Sequence, residues 1–166
     1  MKYRVFEELP VWQASVELAL RVFAFSEKAD FRGLGDLKNQ LERASLSISN
    51  NIAEGFERGT TTELIQFLYI SRGSAGESRS MLRVCERSDR FTNFRSEISD
   101  LIGRSTNISK QLHGWLESLK NTDIKGVKFY TNKDRERRER DREFEEFDRE
   151  MARYKAELEA RLRAKD

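Results

Sequence analysis

An all-α fold, an antiparallel up-down four-helix bundle followed by a charged C-terminal helical extension, is what this sequence predicts. Three observations carry that expectation. One proline, Pro10, and nine glycines leave little material for the many tight turns of a β-rich chain, while Leu, Glu, Arg and Ala are abundant. Apolar residues recur every three or four positions in four successive stretches. Short breaks, most of them polar or glycine-containing, separate those stretches. A chain of 166 residues holds one domain with a real core and has length left for an appendage. The expected division is a bundle over 6–120, a linker over 121–131 and a charged amphipathic tail over 132–166.

The first helix is expected from about Leu9 to Lys28. Pro10 falls in its first turn, where the missing N–H would have had no partner anyway. Trp12, Val16, Ala19, Leu20 and Phe23 supply its apolar spacing. The link DFRGLG, Asp30 to Gly35, ends it. Leu34, Leu37, Leu41, Ala44, Ile48, Ile52 and Phe56 mark the stripe of a second helix, with Gly55 and Gly59 bracketing its end. Thr60 with Glu63 has the capping-box spacing that opens a third helix, whose seam is Leu64, Leu68, Ser71, Ala75, Ser78, Leu82 and Cys85. A break over Asp89 to Asn93 leads to a fourth, carrying Phe94, Ile98, Leu101, Ser105, Ile108, Leu112, Trp115 and Leu119. Beyond it, the tail alternates charges but keeps Phe144, Phe147, Met151, Tyr154, Leu158 and Leu162 three or four apart, a heptad-like stripe that reads either as a solvated single helix or as an interface for self-association or docking.

Composition narrows the functional classes. Cys85 is the only cysteine, so no intramolecular disulfide forms, and the default compartment is the cytoplasm. No run approaches the roughly 20 apolar residues of a membrane span, and MKYRVFEELPVW has no signal-type apolar core. The net charge of +2 does not by itself argue for nucleic acid. From Thr131 onward, 12 of the 31 basic residues meet 12 of the 29 acidic ones, which leaves 19 against 17 in the body. Any basic site is therefore a local patch.

The stretch SISNNIAEGFERG followed by RGSAGE places Asn50, Asn51, Glu54, Gly73, Ser74, Gly76 and Glu77 where apolar residues are expected. Glycine inside a helix costs about 1 kcal/mol relative to alanine, so close approach of another backbone is the expected compensation at Gly73 and Gly76. Asn51, Glu54, Ser74 and Glu77, with Arg72, are expected to form a polar clamp that sets the register of the second and third helices. With LPVWQASVELAL, LKNQLERASLSISNNIAEGFERG and ELIQFLYISRGSAGE, the chain resembles the four-helix-bundle family of 23S ribosomal RNA intervening-sequence proteins, and through it the accessory proteins of diversity-generating retroelements. The resemblance covers roughly Phe6 to Leu119. It implies an antiparallel four-helix protomer, often a homopentamer, without catalytic activity, and for the retroelement relatives it implies contact with nucleic acid and a reverse transcriptase. One departure is Ser49, where the family commonly has proline; serine keeps a backbone donor and removes a kink.

Catalytic alternatives fare worse. A di-metal bundle would carry Glu-x-x-His pairs, and the lone histidine, His113, has no glutamate three residues before it. No metal and no cofactor is therefore expected. Cys85 lies on the apolar seam as a small hydrophobe, and GLGDL lacks the pattern of a phosphate-cradling loop. The surface signal lies on the third helix, where Arg72, Arg79, Arg83, Arg87 and Arg90 fall within about 80° of one another and Tyr69 extends the strip. Guanidinium groups in a line match successive phosphates, and Tyr69 offers a stacking surface. The expected function is a non-enzymatic oligomeric accessory protein that binds structured RNA or RNA/DNA, with a reverse transcriptase or another protein as co-partner. The alternative is a protein-only oligomeric scaffold that presents its tail.

Overall fold

Pro10 sits at the first position of helix α1 (Pro10–Lys28), behind a single 3-10 turn over Phe6–Glu8. The computed structural model describes residues 3–121 together with Arg140, Phe144, Glu146, Arg149 and Met151. Positions 122–131 of the expected linker and most of the tail, including Phe147, Tyr154, Leu158 and Leu162, lie outside the described residues. Helix α2 (Gly35–Arg58) stops at Gly59, whose φ of 74° is the left-handed conformation that a side chain disfavours. Helix α3 (Thr61–Arg87) opens where Thr60 Oγ1 accepts a hydrogen bond from the Glu63 backbone N–H at 3.2 Å, as the capping spacing requires. The break expected after it is a 3-10 segment over Asp89–Phe94, and helix α4 (Arg95–Lys120) completes the bundle.

Contacts between helices show that the four alternate in direction. Ile48 meets Ser71 and Ser47 meets Ser74, while Gly55 meets Leu64 and Phe67, so α2 and α3 run antiparallel. Ser105 meets Ala75 and Lys120 meets Tyr69, so α3 and α4 do too. Lys28 with Glu97, and Arg21 with Asp100, close the ring between α1 and α4. The core between them holds Leu18, Val22, Phe25, Leu41, Ile48, Ile52, Leu64, Leu68, Leu82, Ile98, Leu101 and Leu112, all essentially inaccessible to water. At one end, the Phe25 ring packs at 5.7 Å from Phe31, 6.0 Å from Phe91 and 5.7 Å from Phe94, tying α1 to the two links and the start of α4.

The stripe expected on α1 is rotated from the one observed. Val11, Ser15, Leu18, Val22, Phe25 and Ser26 face inward with Ala19, whereas Trp12, Val16 and Phe23 are half-buried and Leu20 is 56% exposed. Apolar residues lie on two sides of this helix, so spacing alone admits both phases. The inward side is the one that carries serines, which a count of apolar residues passes over.

Those serines are accommodated by hydrogen bonds. Ser15 donates to the Val11 carbonyl (2.6 Å) and Ser78 to that of Ser74 (3.0 Å). Others cross between helices: Ser71 donates to the Ile48 carbonyl at 2.9 Å and Ser105 to the Ala75 carbonyl at 2.7 Å. Ser26 bridges the Phe23 carbonyl and the Glu42 carboxylate of α2. Among the described residues no buried side-chain nitrogen or oxygen lacks a partner. Ser49 is buried and donates back to the Leu46 carbonyl at 3.0 Å, and α2 runs unbroken through it.

The close approach expected at Gly73 and Gly76 belongs instead to Gly55. A Cβ at Gly55 would stand 2.7 Å from the Phe67 Cβ and 3.3 Å from a Leu64 methyl, whereas nothing among the described residues lies within 4 Å of one at Gly73 or Gly76. Gly55 is buried in the last turn of α2, and with Gly59 it brackets the helix end at Arg58 as expected. For folding stability the glycines at 73 and 76 thus weaken α3 without a packing gain among the described residues. Gly73→Ala and Gly76→Ala are each expected to raise stability by up to about 1 kcal/mol, read from the urea midpoint; a loss in either would contradict the open space around them.

Candidate nucleic-acid interface

Helix α3 ends at Arg87, and this divides the predicted arginine strip. Arg72 and Arg79 are half-buried, Arg83 and Arg87 exposed, all on the helix, but Arg90 belongs to the 3-10 segment. Its guanidinium donates to the Arg32 carbonyl, in the turn where Arg32 also pairs with Asp30 at 2.8 Å. Arg90 is thereby a link between two loops, because the change from 3.6 to about 3 residues per turn takes it off the α3 face.

Helix α4 brings cations to the same face. Lys120 holds its ammonium 5.4 Å from the Tyr69 ring centroid and 2.8 Å from Glu117, so Tyr69, 44% exposed, has a cation over one face. The hydrogen bond from Lys120 pulls the Glu117 carboxyl below its ordinary range, with smaller help from the charges of His113 and Arg72, and the Lys120 ammonium is raised by Glu117 first and Tyr69 second. By helical phase Arg95, Lys110, His113, Glu117 and Lys120 share one side of α4, the side beside Tyr69 and Arg72. Sequence reasoning missed this row. Its signal was available in the spacing of 110, 113, 117 and 120 by three and four, but which way α4 turns relative to α3 is a tertiary matter.

Acids are sorted away from this face. Glu97 pairs with Lys28 at 3.5 Å, and Asp100 with Arg104 at 2.7 Å and Arg21 at 3.9 Å, all toward α1. The acids that remain, Glu86 and Glu117, are each paired at 2.8 Å, with Arg83 and Lys120. Arg72, Arg79, Arg87, Arg95 and Lys110 form no ion pair with any described residue. An unpaired cation row held on two helices raises the local potential and attracts a polyanion.

The expected clamp forms only in part. Asn51 Nδ2 donates to the Ser47 carbonyl (2.7 Å) and hydroxyl (2.9 Å), and that hydroxyl lies 3.0 Å from the Ser74 hydroxyl, so Asn51 and Ser74 are connected through Ser47. Glu54 points outward and pairs with Arg58 of its own helix at 2.7 Å; that contact, with a weaker one to Glu63, raises the Arg58 guanidinium. Glu77 is exposed and lines a shallow cleft of about 410 Å³ with Gln40, Arg43, Ala44 and Ser47. The carboxylates stay out because small hydroxyls already satisfy the buried α2–α3 contact, and a charge there would lose hydration without gain.

Among the described residues no group of three or more His, Cys, Asp or Glu side chains could hold a metal. Cys85 is fully buried, and that burial pushes its thiol up to about 11. It is expected to resist alkylation at pH 8 in the native protein and to react on unfolding, as a mass-spectrometric time course would show; rapid native labelling would contradict its burial. Of the tail residues, Phe144 is 71% and Met151 40% exposed. Among the described residues no helix is long and apolar enough to cross a membrane.

Comparison with known proteins agrees with this architecture. No curated protein matches the chain. A crystal structure of a protein of unknown function from the S23 ribosomal protein family of Bacteroides thetaiotaomicron is similar in fold, with a TM-score of 0.57 and 24% identity over 64% of this chain and 97% of that one. The description 23S rRNA-intervening sequence protein matches residues 7–114, which span α1, α2, α3 and most of α4. The chain belongs to the family of 23S rRNA-intervening sequence proteins.

Proposed function

We propose that this chain is a non-enzymatic, oligomeric accessory protein that holds nucleic acid, structured RNA or RNA paired with DNA, against the face shared by α3 and α4. The observation that carries this reading is the row of Arg72, Arg79, Arg87, Arg95 and Lys110, which form no ion pair with any described residue while the nearby acids pair with other cations. Buried catalytic groups are not needed for such a task. Cations contacting phosphates release counterions, so affinity falls steeply with salt. The family's description connects it with ribosomal RNA. Self-association, as a pentamer by family resemblance, would repeat the face around the assembly; the co-partner in this reading is a reverse transcriptase, which the resemblance to the retroelement relatives implies, or another protein. Exposed Ile70 and Val84, 45% and 56% accessible, give self-association an apolar surface on α3.

The test is binding of structured RNA to the full chain at about 50 and 200 mM salt. Arg79→Glu with Arg83→Glu is expected to weaken binding about 100-fold or more at the lower salt, since each change removes one phosphate contact and adds one repulsion. Affinity indifferent to both salt and substitution would remove this reading. A protein-only scaffold is the second reading, favoured by the exposure of Phe144 and Met151. It predicts that Phe147→Asp or Leu158→Asp abolishes partner capture while salt leaves it intact.

A further inference from the structure

We infer that the α3–α4 face takes a nucleic-acid double helix, gripped through the phosphates of both strands, rather than a single strand. This rests on the nucleic-acid reading above and names the form of the ligand. Three observations carry it. The first is that the cations stand in two rows on two antiparallel helices. On α3, Arg72, Arg79, Arg83 and Arg87 cover about 22 Å at 1.5 Å per residue; on α4, Arg95, Lys110 and Lys120 cover about 38 Å. Axes of packed helices lie about 8–10 Å apart. One extended strand following α3 would leave the α4 row without a partner, whereas the two strands bordering a groove of a duplex can engage both rows at once.

The second observation is the poverty of stacking surface. Proteins that hold single strands stack successive bases on aromatic side chains. Among the described residues this face has Tyr69 and the smaller ring of His113, and Lys120 already occupies the space over the Tyr69 ring at 5.4 Å. The two tryptophans turn elsewhere, Trp12 against Phe6 at 5.2 Å and Trp115 half-buried against the core. What the face supplies is a long double row of charge with two rings near one end, not a succession of platforms, which matches recognition of a duplex by its shape and phosphates.

The third is the height of the ground between the rows. Gly76 of α3, with Ser99, Gly103 and Thr106 of α4, lies between or beside the cations, and a Cβ at either glycine would meet nothing within 4 Å among the described residues. Short side chains there let a stiff cylinder approach until the longer arginines and lysines reach its backbone. Bulkier residues would hold a duplex off, while a flexible strand could bend around them.

The experiment is fluorescence anisotropy of the full-length chain with three labelled probes of about two helical turns, ~20 base pairs or nucleotides: a mixed-sequence RNA duplex, the DNA duplex of the same sequence, and an unstructured uridine strand. At least one duplex is expected to bind about tenfold or more tighter than the strand at low salt, and preference between the two duplexes tells RNA from DNA. Arg95→Gln with Lys110→Gln is expected to lower the salt slope for the duplex by about 2 and to leave that for the strand unchanged. Both side chains are on the surface, and an unaltered thermal midpoint checks that the variant is folded. A strand that binds as tightly as the duplexes, or a duplex slope that the double variant does not move, overturns the inference while the nucleic-acid reading stands. No binding of any probe at low salt overturns both.

Discussion

Phe25→Ala is expected to cost about 3–5 kcal/mol of folding free energy, the largest loss of any single truncation in the bundle. The ring is inaccessible to water and touches the rings of Phe31, Phe91 and Phe94, which come from the α1–α2 link and the α3–α4 connection. Removing it deletes the transfer free energy of the side chain and leaves a cavity walled by segments already fixed at both ends, so collapse around it is limited. A domain of this size has only about 5–15 kcal/mol in hand. Chemical denaturation should therefore show a transition shifted far toward low denaturant. Phe23→Ala, two residues away and half-buried, is expected to lose less than half as much. Comparable losses for the two would mean that α1 is turned to the phase its apolar spacing first suggested.

Gly55→Ala is expected to destabilise by about 1–3 kcal/mol, although alanine is the better helix former. The added methyl would stand 2.7 Å from the Phe67 Cβ, an atom fixed to the α3 backbone, with the Leu64 Cα only 3.4 Å away. Rotamer changes do not move either atom, so α2 and α3 must separate locally. Phe67→Ala is accordingly expected not to rescue Gly55→Ala, since it leaves the obstructing Cβ in place. Measured beside Gly73→Ala in the same urea titration, the two substitutions should carry opposite signs. A stabilised Gly55→Ala would show that the second and third helices are farther apart than described.

Much of the bundle follows from local chemistry. Pro10 at the head of α1, Thr60 with Glu63 at the head of α3 and Gly59 between α2 and α3 act within a few residues of themselves, and each element begins or ends where those residues allow. The seams of α2, α3 and α4 were legible for the same reason: their charged residues leave one apolar stripe, and Ile48, Leu68 and Leu101 are buried along it. On α1, two apolar sides competed, and only packing against α2 and α4 selected Leu18, Val22 and Phe25 over Leu20 and Phe23.

The candidate site divides along the same line. The sequence by itself determined the helices, their order, the buried character of Cys85 and the run of arginines on α3, because helical periodicity is a property of neighbours three and four apart. Tertiary structure alone decided that Glu54 and Glu77 remain at the surface, that Gly55 rather than Gly73 admits a second backbone, and that Arg90 is held by Arg32. It also decided which cations share a face, setting Arg95, Lys110 and Lys120 beside the α3 row while Glu97 and Asp100 turn to α1. The physical reason is that the rotation of one helix about its axis relative to another is set by the packing of whole faces, and no local spacing encodes it.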